Sequence, residues 1–167
     1  MKIGLSITII MMSLATGWGS TPSPPGDRPR HAIASFNSLQ PKWYNWDLNA
    51  LGVYCATWDA AKPYEWRRKY SWASICGLVG PQGQAACGKC LKVTNAATRA
   101  VVTVRVLDQC SSEEIELELD TFNDLDTGDT GHDDGGRLHV DYQFVDCGDE
   151  LMVDQSAESK NILVSGH

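Results

Sequence analysis

Six cysteines, four histidines, a few well-placed carboxylates and a dense run of aromatics are the side chains of this 167-residue chain best suited to chemistry. The cysteines stand at 55, 76, 87, 90, 110 and 147. Two of them frame Cys87-Gly88-Lys89-Cys90, a spacing used by redox centres and by zinc sites. A zinc site needs further ligands, and the chain has no second CxxC and no histidine beside any cysteine. An even cysteine count is the signature of a disulfide framework, so three bridges are expected, with no metal and no cofactor. Spacing alone leaves fifteen pairings open.

Acid–base chemistry near neutral pH is the province of histidine. His139 sits in an alternating apolar/polar run, whereas His31 and His132 have polar or glycine-rich neighbours and are expected at the surface. Asp108 ends the apolar run VRVLDQC. Glycoside hydrolysis needs a second carboxyl group or base, and Asp141 and Asp146 are the two downstream acids to weigh for it. Nine aromatics fall between Trp43 and Trp72. Flat faces with polar neighbours suit sugars and bases, but so many in one stretch also build a small core.

These groups need a scaffold, and the periodicity describes it. Val102, Val104 and Val106 alternate with Thr103 and Arg105, which predicts a strand over 101–107. Leu138, Val140, Tyr142 and Phe144 alternate with His139, Asp141 and Gln143, which predicts another over 138–145. Residues 91–94 read as a third. The stretches 77–88 and 128–136 are glycine-rich loops. Short helical turns are expected over 62–70, with Asp59 as cap, and over 120–125. Many short strands and few helices make the domain mostly β, with a small barrel as the solution.

Residues 1–19 read as a signal peptide: Lys2 supplies a positive start, an apolar stretch follows, and small residues flank a cut within 17–20. A Pro-rich linker over 20–30 comes next. No later run reaches the roughly 18 apolar residues of a membrane span. Export and an oxidising compartment follow as expectations. The net charge is −7, which argues against tight binding to a phosphate backbone. Residues 31–110 carry nine Lys/Arg and four Asp/Glu, and residues 111–147 carry one and twelve. The halves either form a dipole or interleave; Arg67, Arg68 and Lys69 are the candidate basic patch.

The segments WDL (46–48), YCATWDA (54–60), GPQGQAACGKCLKVTN (80–95), VRVLDQC (104–110) and VDYQFVDC (140–147) resemble the barwin family, the class 4 pathogenesis-related proteins of plants. The likeness runs from about Ala34 to Gly148 and takes in all six cysteines, so a barwin-like domain is placed at 31–148, followed by a tail, 149–167, similar to the vacuolar-sorting extensions of some members. The resemblance implies a six-stranded double-psi β-barrel and the pairings Cys55–Cys87, Cys76–Cys110 and Cys90–Cys147. It also implies a monomeric, secreted or vacuolar antifungal defence protein, with chitin oligomers or RNA as ligands.

Two departures bear on activity. The histidines linked to ribonuclease activity in the family fall on Asn37 and Arg137 here. Asn37 does not titrate in any useful range, and Arg137 does not release its proton, although it can hold a phosphate. His139 is the alternative base, displaced by two residues, or roughly 6–7 Å along a strand. Barrels similar to this family place a catalytic aspartate near Asp108. Trp43 and Tyr44 stand where the family's pattern is polar, so both are expected to be exposed and, with Asn37, Arg137 and Gln143, to edge a ligand groove. The reading is a carbohydrate-binding defence protein, with a weak ribonuclease or a fold-only interaction protein as alternatives.

Overall fold

Alternation of apolar and polar residues puts one face of each strand inside a closed barrel. The computed structural model describes residues 28–129, 131 and 135–149; the segment read as a signal peptide, most of the segment read as a linker, His132 and the tail beyond Asp149 lie outside them. The strands are β1 (Arg30–Asn37), β2 (Ser71–Cys76), β3 (Cys90–Asn95), β4 (Val101–Cys110), β5 (Glu114–Glu118) and β6 (Leu138–Val145). They close in the order β1-β5-β2-β4-β3-β6. β1 with β5 and β2 with β4 are parallel pairs, and the other neighbours are antiparallel. Among the described residues, four short helices decorate the barrel: α1 (Leu48–Leu51), α2 (Ala56–Asp59), α3 (Tyr64–Arg68) and α4 (Leu119–Leu125). No helix among the described residues is long and apolar enough to cross a membrane.

Ala34, Ala73, Ile75, Leu91, Val93, Val104, Val106, Ile115, Leu117, Val140 and Tyr142 fill the barrel, and α4 adds Phe122 and Leu125. A second apolar cluster, Leu48, Val53, Cys55, Trp66, Trp72 and Leu107, lies under α1–α3. This outer layer explains one departure from simple alternation. Arg105, on the face expected to meet solvent, is fully buried. Its guanidinium carbon lies 3.8 Å from the centre of the Trp66 ring, and its two terminal nitrogens reach Asp149 at 3.0 and 2.8 Å. Asp149 also accepts from the Trp66 indole at 2.8 Å, so the first residue assigned to the tail is fastened to the barrel.

Asp59 does not cap the helix near residue 64. It ends α2, and Pro63 occupies the N-cap position of α3. Its carboxyl is buried, and desolvation raises its pKa against the pull of Lys62 and Arg105. The loop 77–88 contains two 3-10 turns, Gly77–Val79 and Gly83–Ala85.

The three disulfides are Cys55–Cys87, Cys76–Cys110 and Cys90–Cys147. The two cysteines of the CxxC therefore enter different bridges, so this motif is structural. Gly88 between them has φ +74° and donates its N–H to the Val106 carbonyl at 2.9 Å. A side chain there would be strained by that φ and would press on Trp66 at 3.3 Å.

Candidate functional site

β5 is an amphipathic strand: Ile115 and Leu117 point into the barrel, and Glu114, Glu116 and Glu118 point out. In register, Glu116 lies opposite Ser35 of β1 on one side and Ser74 of β2 on the other. Ser74 in turn lies opposite Asp108 of β4. The register shifts between Ala73 and Ser74, and Leu107 is the extra residue that the shift skips. Without this irregularity, alternation after Val106 would send Asp108 inward; the bulge re-aims it to the outer face. On the other flank, Ala34 pairs with Leu138, so Arg137 stands one step on, beside Ser35. Ser35, Glu116, Ser74 and Asp108 thus form a polar row across four strands, with Ser74 itself buried and Arg137, just ahead of β6, at one end.

The electrostatics of the row are uneven. Burial pushes the Glu114 carboxyl up, but hydrogen bonds from Ser35 and Arg137 outweigh it and hold the pKa below the usual range. Arg137 pairs directly with Glu114. Glu116 is raised, by burial first and then by the charges of Glu114 and Asp108. Glu118 is raised by burial, against the hydrogen bond it accepts from the Trp72 N–H. Asp108 accepts the Tyr54 N–H at 2.8 Å. That bond ties the Tyr54 backbone to the end of the row; the exposed Tyr54 ring points toward the Gly83 turn, and Trp58 packs against it at 5.4 Å between ring centres.

Asn37 ends β1 opposite Glu118. Its Oδ1 accepts the Leu39 N–H at 3.0 Å, and its buried Nδ2 has no hydrogen-bond partner. Trp43 and Tyr44 lie on the 3-10 turn Pro41–Tyr44 and are 80% and 48% exposed. His139 is exposed on the same outer face of β6, opposite Ile33. Asn37 is four residues along β1 from that pairing, or roughly 13 Å. By contrast, Asn37 and Arg137 are diagonal neighbours, about 7–8 Å apart at the backbone.

Gln143 does not join this row. It pairs with Lys92 on β3 and lines a separate cleft with Asp141. Asp146 accepts the Gly148 N–H in a tight turn. Neither downstream aspartate therefore partners Asp108; the carboxyl group nearest to that role is Glu116, which the sequence reading did not single out. Its signal was present in the alternation of EIELE, overshadowed by the surrounding acidic run.

The basic patch is largely engaged. Arg67 donates to the Trp46 carbonyl at 2.6 Å, Arg68 pairs with Glu65, and Lys69 donates to the Cys147 and Gly148 carbonyls at 2.8 Å. Two groups of potential metal ligands exist among the described residues, Cys55 with Asp59 and Cys87, and Cys76 with Cys110 and Glu116. In each, both sulfurs are consumed by a disulfide. What remains is a face of hydroxyls, carboxylates and one guanidinium, flanked by exposed aromatic rings.

The barrel has solved counterparts. It is similar to cerato-platanin 3 from M. perniciosa at 15% identity, covering 70% of this chain and 95% of that one with a TM-score of 0.51, and the fold is the double-psi β-barrel. It also matches an expansin of Clavibacter michiganensis at 22% identity, with a TM-score of 0.46, covering 71% of this chain and 51% of that one. A mutant of that expansin was crystallised in complex with cellohexaose. The sequence profile of the Barwin family matches residues 30–147, and the chain belongs to that family.

Proposed function

We propose that this protein binds an uncharged cell-wall saccharide of the chitin type across the polar row, without cleaving it, and acts outside the cell in defence against fungi. The observation that carries the reading is the Tyr54–Asp108 junction: one hydrogen bond joins the Asp108 carboxylate to the backbone of Tyr54, whose exposed ring is paired with that of Trp58. Sugar rings present apolar C–H faces to aromatics and hydroxyls to carboxylates, and the row offers both within one face. Three glutamates and an aspartate along the same face repel a polyphosphate chain, which favours a neutral glycan over RNA. The crystallisation of an expansin with cellohexaose fits the same ligand class. Export rests on the leader read over residues 1–19.

Titration calorimetry with chitin oligomers tests the reading. Weak binding is expected, with Kd of about 0.1–1 mM. Tyr54→Ala and Trp58→Ala should each weaken it by about fivefold or more, equivalent to about 1 kcal/mol. Unchanged affinity in both variants would reject this face as the site.

A further inference from the structure

We propose a second ligand site on the other side of the barrel, a small cleft for the carboxylate of an acidic sugar. The cleft has a volume of about 110 Å³ and is lined by Lys92, Thr94, Arg99, Asp141 and Gln143, with Pro29 at its rim. That is space for three or four waters at ~30 Å³ each, enough for a carboxylate and the carbons that bear it. Cross-strand pairing builds it: Lys92 faces Gln143 and Thr94 faces Asp141 between β3 and β6. Gln143 is six residues along β6 from Arg137, or roughly 20 Å, so the cleft is separate from the polar row.

The chemistry follows from which groups are already engaged. Asp141 is approached by His31 Nδ1 at 2.5 Å and by Arg99 at 3.3 Å. Among the described residues, the side chains of Lys92, Thr94 and Gln143 have no hydrogen-bond or ion-pair partner. The cleft therefore presents one uncompensated ammonium, one hydroxyl and one amide, all able to donate, in a protein whose net charge is −7. One cation with two neutral donors suits a monoanionic, planar carboxylate. A phosphate dianion calls for more positive charge and a free guanidinium fork, and Arg99 is turned to Asp141. Nucleic acid is disfavoured further because Tyr142, the only aromatic in the lining, is buried. The ligand class is thus a uronate, either a free acid or a residue within an acidic polysaccharide.

The test uses the secreted chain and NMR titration with galacturonate, its trimer, a neutral galactose trimer, inorganic phosphate and a short RNA. Galacturonate and its trimer are expected to shift the amides of Lys92, Thr94 and Gln143, with the neutral trimer at least tenfold weaker. A stronger response to the trimer than to the monomer would assign the polymer as the source; equal responses would assign the free acid. Lys92→Gln should reduce binding about tenfold, Lys92→Arg should retain it, and Gln143→Leu should weaken it. Chitin-oligomer binding should be unchanged in all three, and uronate binding should be unchanged in Tyr54→Ala, so this site stands or falls apart from the first. The proposal is overturned if phosphate or RNA binds at these residues as tightly as uronate, if the neutral trimer matches the acid, or if no titrant shifts them.

Discussion

Asn37 and Arg137 occupy adjacent points of one face, and neither moves a proton near neutral pH. RNA cleavage by attack of the 2′-hydroxyl needs a base and an acid that both titrate there, each worth ~10²–10⁴-fold. The parent is therefore expected to show ribonuclease activity near background. Because the two positions are diagonal neighbours, Asn37→His with Arg137→His should create activity with a bell-shaped pH profile, and either single variant should be weak or inactive. A parent as fast as the double variant would refute this account. His139 then becomes the suspect, although its distance along the strand from Asn37 makes a shared site difficult. Glu116 offers a second test at this scale. Its folded pKa is raised by burial and by Glu114 and Asp108, so ionising it weakens the fold. Stability linked to this group is fully present below the unfolded value and is lost as pH rises through the raised folded value. Glu116→Gln should raise the melting temperature at pH 7, and the advantage over the parent should vanish in acid, as read by thermal unfolding across pH.

The strands split into those that sequence shows and those it conceals. β4 and β6 are legible because valines and aromatics alternate with polar residues, and Val104, Val106, Leu138, Val140 and Tyr142 are indeed inside. β2 is hidden for the opposite reason: Trp72 packs into the outer apolar cluster, Cys76 enters a disulfide and Ser74 is buried between its neighbours, so Trp72 through Cys76 are all buried and no alternation remains. β1 and β5 escape for want of a long apolar run. The bulge that turns Asp108 outward leaves no mark in composition, so the partnership of Asp108 with the row could not be read, whereas its closeness to Cys110 could. Arg105 is likewise unreadable as an interior residue, since only the packed α3 and Asp149 make its burial tolerable. That ion pair carries its own prediction. Asp149→Ala strands a fully buried guanidinium and should cost about 3 kcal/mol, the low end for a buried pair because Asp149 is partly solvated. Asp149 is held below its ordinary pKa: burial raises it, and Arg105, Trp66 and Lys69 outweigh burial. Its contribution is present above the unfolded value and lost as pH falls through the lower folded one. Urea unfolding of parent and variant should converge in strong acid.

Across the whole molecule, the charge imbalance between the two halves is resolved by interleaving at the strand level. The acidic β5 is inserted between β1 and β2, and Arg137 answers Glu114 across the seam. Much of the basic complement is turned to carbonyls and carboxylates of its own chain, an arrangement that net charge alone does not reveal. The leader belongs to this scale as well. Secreted material should begin between Gly17 and Thr21, and N-terminal sequencing that finds residues 1–15 retained would refute the reading.

The closed order of strands also sets a timetable for biogenesis. β1, made first, is flanked in the finished barrel by β5 and β6, made last. Cys90 waits for Cys147. Loop closure over such separations precedes any reward from pairing, so the nascent chain cannot seal its barrel while the ribosome still holds residues 138–147. Until β5 emerges β1 is an unpaired ribbon, and under the oxidising conditions that the proposed export entails the early thiols have wrong partners within reach. Chaperoning of that first strand, and isomerase access to Cys55, Cys76 and Cys87, are the demands this topology makes during synthesis.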